Sequence, residues 1–132
     1  MNGNRCCTLL AAIIFAWTLH AAPQLKYVVI VARHGVRSPT WDRARLNQYS
    51  IQPWPAWDVP PGDLTPHGRK LIAILGAYYR ECLANEHLLN FTGCGDQGRI
   101  YIWADTDQRT LETGRAFAES ILPGCSVSSA VW

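Results

Sequence analysis

Residues 25–40 read LKYVVIVARHGVRSPT. Leu25 to Ala32 is an almost unbroken apolar run rich in β-branched residues, the pattern of a strand covered on both faces as in a parallel sheet. The run then stops at two arginines that bracket a histidine, Arg33-His34-Gly35-x-Arg37, and turns at Pro39. Gly35 reads as a position kept without a side chain so that a ligand can come close, and Pro39 as a stiffener of the turn.

Outward from this stretch the pattern alternates. Arg99 to Asp105 (RIYIWAD) repeats the strand signal. Between the two, Thr65-Pro66 reads as an N-cap followed by proline at the first helical position. Leu71, Ile74, Leu75, Tyr78 and Cys82, with the neighbouring Ile72, Tyr79 and Leu83, then fall at helical spacing, giving a broad apolar face and predicting a helix that frays near Asn85. A second helix is expected after Asp107 as its cap, with Leu111, Phe117, Ala118, Ile121 and Leu122 on its apolar face and Pro123-Gly124 as its stop. Strands alternating with helices predict an α/β fold with right-handed crossovers onto a parallel sheet. Two strands are fewer than the five or six of a mean sheet, so the expectation is the first part of a larger fold. Ser38 to Asp63 is a proline-rich connection of 26 residues with three tryptophans and neither period. Its length marks it as functional or poorly ordered, and it reads as one wall of a pocket.

At 132 residues there is room for one domain. With 48% apolar and 17% charged residues the chain falls among ordinary globular proteins, not disordered ones. Its twelve basic residues are scattered among ten acidic ones, which excludes the clustered basic face of a nucleic-acid binder. Residues 1–22 look like a signal peptide: Arg5, then an apolar run from Cys6 to Leu19, then Ala21 and Ala22. That run is about 14 residues, short of the roughly 20 that span a bilayer. The mature part, 23–132, is therefore expected in a secreted or periplasmic compartment, with no membrane association once the signal is removed. Of the cysteines then left, Cys94 and Cys125 lie in glycine-bearing turns and are paired here. A bridge between them would stabilise by roughly 3–4 kcal/mol in the loop-entropy account. Cys82 is left as a buried helix thiol or as one whose partner lies in further sequence.

Ligands of open α/β sheets bind at the carboxyl ends of the strands, which is where Arg33, His34 and Arg37 fall. Arg109 occupies the same end of the second strand, in the first turn of its helix, where free amides favour an anion. Three guanidiniums around an imidazole suit a phosphoryl group, because each forks onto phosphate oxygens and none can deprotonate. The same charge repels a metal ion, so neither metal nor cofactor is expected. His34 is then a nucleophile at phosphorus or one more anion contact.

The extended pattern Arg33-His34-Gly35-x-Arg37-x-Pro39 resembles the signature of the histidine acid phosphatases, branch 2 of the histidine phosphatase superfamily. The resemblance continues through Trp54-Pro55-x-Trp57, Leu64-Thr65-Pro66-x-Gly68, Ala104-Asp105-x-Asp107-x-Arg109-Thr110, Thr113-Gly114-x-Ala116-Phe117, and Cys94 with Cys125. It is similar to the N-terminal part of bacterial periplasmic phytases and sugar phosphatases. The resemblance implies an incomplete Rossmann-like three-layer domain with a parallel sheet. It implies a phosphate monoester as substrate, His34 as the residue phosphorylated, Arg33, Arg37 and Arg109 on the phosphoryl oxygens, Thr40 beside the substrate, and the Cys94–Cys125 bridge. Trp41 stands where phytase-type members tend to offer a basic residue. The second histidine with its adjacent acid, which in the family protonates the leaving alcohol, has no counterpart here, and neither does the cap domain. Of the local acids and histidines, His67 and His87 read as solvated, Asp107 as a helix cap, and Asp105 as bonded to the motif loop. The sequence thus describes a phosphatase fragment inactive alone. The alternative is a non-catalytic phosphate or sugar-phosphate binding module, against which His34 stands. Val36 argues against a phosphoglycerate-mutase-like transferase, whose residue after the motif glycine is typically acidic.

Overall fold

The computed structural model describes residues 23–131; the signal-peptide expectation over 1–22 lies outside the described residues. The elements in order are helix α1 (Arg43–Leu46), a 3-10 turn at Asn47–Tyr49, helix α2 (Pro66–Asn85), a 3-10 turn at Gln97–Arg99, strand β1 (Tyr101–Ala104), helix α3 (Gln108–Ile121) and strand β2 (Ser128–Val131). Helix α2 begins as its sequence requires. The Thr65 hydroxyl accepts the Gly68 amide at 2.9 Å, and Pro66 occupies the first turn, where no amide partner is missed.

The two long helices cross where Gly76 removes a side chain. A Cβ there would lie 2.0 Å from Ser120 Oγ and 3.0 Å from the Phe117 carbonyl oxygen. Beside the crossing Tyr79 meets Phe117, ring centroids 6.0 Å apart, and Arg69 bridges Glu112 (3.2 Å) and Glu119 (2.6 Å). The buried stripe of α2 is therefore Gly68, Ile72, Gly76 and Ala84. Of the broad apolar face expected, Ile72 is buried, whereas Leu71, Ile74 and Tyr78 are exposed. Close approach of two helices selects small residues, so the larger apolar ones sit beside the contact. Ile72, Leu64, Leu89, Ala116, Ile121 and Leu122 form the core.

β1 and β2 pair in parallel, Tyr101 opposite Ser128 through Ala104 opposite Val131. The strand at Ser128–Val131 was not anticipated. The strand expected at Leu25–Ala32 does not form: this segment carries no ladder, and Tyr27, Val29 and Val31 are largely exposed. A strand has no internal hydrogen bonds, so pairing and not composition makes it one. Here a cavity of about 640 Å³ separates Tyr27, Val28 and Ile30 from Ile100–Ala104.

The loop before β1 is pinned by Asp96, whose side chain is 2% exposed. It accepts the Asn90 amide at 2.6 Å, the Asn90 side-chain nitrogen at 2.9 Å and Arg99 Nη1 at 2.9 Å. The Asn90 amide holds this carboxyl below the usual range, against the opposing effect of burial. The expected Cys94–Cys125 disulfide closes next to it, with Cα atoms 5.4 Å apart. Cys82 is a free, half-buried thiol on α2.

Candidate active site

The motif loop is held from two sides. On one, the Val36 carbonyl accepts both the Thr65 amide and the Thr65 hydroxyl, each at 2.9 Å, and Arg37 forms an antiparallel bridge with Leu64. On the other, the Gly35 amide donates to Thr113 Oγ1 at 3.0 Å, and that hydroxyl donates to the Arg109 carbonyl at 2.7 Å. Thr113 lies one turn after Arg109 on α3, so the loop and the helix carrying the distant arginine share one hydroxyl.

Gly35 has a different reason from the one its sequence suggested. A Cβ there would meet Ile72 Cγ1 and Leu64 Cδ1 at 2.9 Å and the Gly68 carbonyl at 3.1 Å. Its bare face lies against α2, so it lets the loop approach the helix and not the ligand. Gly68 is the other half of that contact, since a Cβ on it would lie 2.1 Å from the Val36 carbonyl oxygen.

His34 Nδ1 lies 2.8 Å from the Gly35 carbonyl oxygen. A carbonyl only accepts, so this bond assigns a proton to Nδ1, and in the neutral ring the lone pair is then on Nε2. His34, Arg33, Arg37, Pro39, Trp54 and Trp57 line one shallow cavity of about 590 Å³. Two of the three tryptophans of the long connection, Trp54 and Trp57, therefore form a wall beside the motif. Arg37 Nη1 donates to the Ser38 carbonyl at 2.7 Å.

Arg109 and Thr40 do not line that cavity. They come together across Gly62, where a Cβ would lie 3.6 Å from Thr40 Cγ2 and 3.9 Å from Arg109 Nη1. Arg109 Nη2 pairs with the Asp107 carboxylate, and Nε is buried with no hydrogen-bond acceptor among the described residues. Asp107 thus stands at the N-cap position of α3 without capping it, because its carboxylate is engaged by Arg109. The Asp105 carboxylate accepts the Thr106 amide at 2.7 Å, a local turn bond in place of the expected bond to the motif loop. His67 and His87 are exposed, as expected.

Trp41, where a basic residue was expected, carries one secondhand: the Arg45 guanidinium lies 3.9 Å over its ring, which also packs on Tyr49. Sequence reading gave no role to Ser38, Gly62 or Thr113. The signals were there for two of them. Pro61-Gly62 is the centre of a type II turn, closed by Asp63 N–H to the Pro60 carbonyl at 3.2 Å with Gly62 at φ +87°, and Thr113 follows Arg109 by one helical turn.

An imidazole flanked by two guanidiniums in one loop has the chemistry to receive an anionic group. Residues 24–131 match the model of the histidine phosphatase superfamily (branch 2), and the chain belongs to that family. It is similar to phytase AppA of Escherichia coli (strain K12), 45% identical over 108 residues, covering 80% of this chain and 25% of that one. It is also similar to the glucose-1-phosphatase of Salmonella typhimurium (strain LT2), 35% identical over 120 residues, covering 90% of this chain and 29% of that one. Among solved structures, the apo form of Hafnia alvei phytase superimposes with a TM-score of 0.77 at 39% identity, over 85% of this chain and 28% of that one. The chain thus spans about a quarter of the length of these relatives.

Proposed function

We propose that this chain is the N-terminal portion, residues 23–132, of an exported acid phosphatase that hydrolyses phosphate monoesters through a phosphohistidine at His34. In this reading residues 1–22 are its export signal, its compartment is the periplasm or the medium, and its sheet belongs to a Rossmann-like three-layer domain. The observation that carries the proposal is the Nδ1 bond of His34 to its neighbouring carbonyl, which presents Nε2 as the nucleophile beside Arg33 and Arg37.

The first step forms an Nε2–P bond as the P–O ester bond breaks, and the leaving alkoxide takes a proton from an acid in the part of the fold this chain does not span. Water then attacks phosphorus, the N–P bond breaks, and inorganic phosphate leaves. Arg33, Arg37 and Arg109 hold the charge that builds on the phosphoryl oxygens, each worth up to about 3 kcal/mol by analogy with single oxyanion donors. Thr40, across Gly62 from Arg109, lies beside the substrate. The names of the relatives support phytate or sugar phosphates as substrates, and Trp41, standing where phytase-type members tend to offer a basic residue, favours the less charged of these.

The test uses the full chain and p-nitrophenyl phosphate, whose leaving group needs no acid. Mass spectrometry under alkaline conditions should find phosphate on His34, with little or no sustained turnover of alkyl phosphates. His34→Ala should abolish the label while inorganic phosphate still binds, and Arg33→Ala or Arg109→Ala should weaken that binding strongly but measurably. Labelling that survives His34→Ala removes the nucleophile assignment. Robust His34-dependent hydrolysis of alkyl phosphates by this chain removes the fragment assignment.

A further inference from the structure

We infer that Ser38 is a positioning residue of the phosphate cradle, setting Arg109 and Thr40 through the turn at Pro60–Asp63. The inference rests on the phosphatase reading only for the identity of the ligand. Ser38 is 1% exposed and lines neither cavity, so it does not touch a substrate. Both capacities of its hydroxyl are used on that turn: Oγ donates to the Pro60 carbonyl at 2.6 Å and accepts the Gly62 amide at 2.9 Å. Its main chain adds two ties, the Ser38 amide to the Asp63 carbonyl at 2.9 Å and the Ser38 carbonyl to Arg37 Nη1 at 2.7 Å.

The turn so held places Gly62 between Thr40 and Arg109 Nη1. The turn is closed by Asp63 N–H to the Pro60 carbonyl, and two main-chain bonds tie it to the motif loop without the hydroxyl, Ser38 N–H to the Asp63 carbonyl and Gly62 N–H to the Pro39 carbonyl, each at 2.9 Å. The hydroxyl adds two further ties, to Pro60 and Gly62, which fix the turn's tilt against the loop and with it the wall against which the Arg109 guanidinium rests. A displacement of that guanidinium acts directly on phosphate, since a bound oxyanion is sensitive to misplacement of its donors by an ångström or less.

The experiment compares Ser38→Ala, and Ser38→Cys as an isosteric second variant, with the unmutated full chain. Two readouts are taken: the Arg109 Nε–H resonance in a 15N-labelled sample, assigned with Arg109→Lys, and the Kd for inorganic phosphate. Leu89→Ala serves as a control that loosens the core away from the turn. Ser38→Ala should shift the Arg109 resonance and weaken phosphate binding about tenfold. Leu89→Ala should leave the resonance in place, and Ser38→Ala should add less than twofold to the loss caused by Arg109→Ala. An unmoved Arg109 resonance in both Ser38 variants, an equal shift in Leu89→Ala, or multiplying losses in the double variant each overturn the inference. Should the unmutated chain bind no phosphate, the proposed function is what fails, and the resonance alone decides the role of Ser38.

Discussion

Gly68→Ala sets two principles against each other, and the structure says which wins. In an isolated helix the change is favourable by about 1 kcal/mol, since alanine is the better helix former. Here the added Cβ would lie 2.1 Å from the Val36 carbonyl oxygen, 2.8 Å from its amide nitrogen and 2.9 Å from its carbonyl carbon. All three are backbone atoms, so no side-chain rotation relieves the overlap. Relief requires the motif loop to lift off α2, and the Val36 carbonyl then gives up the Thr65 amide and the Thr65 hydroxyl. Overpacking of this kind costs about 1–3 kcal/mol, and the two hydrogen bonds add about 1 kcal/mol each. Against the helical gain, the net destabilisation is about 2–4 kcal/mol. For a domain of this size that lowers Tm by about 8–16 °C. Thermal unfolding followed by far-UV circular dichroism reads the effect, with phosphate binding as a second readout of the lifted loop. A Tm that stays level or rises would refute the contact, because helix propensity alone would then account for the result.

Removing the Cys94–Cys125 bridge with Cys125→Ser should cost roughly 3–4 kcal/mol, measured by denaturant unfolding beside a reduced sample of the unmutated chain. Asp96→Asn should destabilise at neutral pH, because the amide that replaces the carboxylate cannot accept the Asn90 amide and Arg99 together. The Asp96 carboxyl is lowered on folding, so its contribution is present above the unfolded carboxylate range, near pH 4, and fades as pH falls through the lower folded value. Tm measured against pH for both proteins should therefore converge below about pH 4, and a gap that widens there would contradict the assignment.

What the sequence made legible follows from how local each signal is. Thr65-Pro66 and the spacing that follows it are complete within one helix, and α2 runs over Pro66–Asn85 as expected. The Arg33-His34-Gly35-x-Arg37 cluster was legible because its chemistry lies in the residue types. Leu25–Ala32 has the composition of a strand, but its state depends on a backbone neighbour that no composition encodes. Gly35 shows the same limit at one residue: a missing side chain says that something is close, and only the fold says that it is α2. Asp107 satisfied every local criterion for a cap, yet Arg109, two residues on, competes for its carboxylate and holds it. Ser38 carries no signal of its own, since a hydroxyl in a turn is ordinary until Pro60 and Gly62 are found on either side of it.

The hydroxyl of Thr113 has a kinetic consequence. It joins Gly35 to the helix of Arg109 across a separation of 78 residues, so the clasp closes only after a long stretch of chain has found its place. Loop closure over that distance is entropically costly and slow compared with forming either helix. The proposed anion site is therefore expected to close last during folding and to open first under denaturant. In a titration with urea, phosphate affinity should vanish while the helical signal still persists, making the ligand a reporter of the final event in assembly.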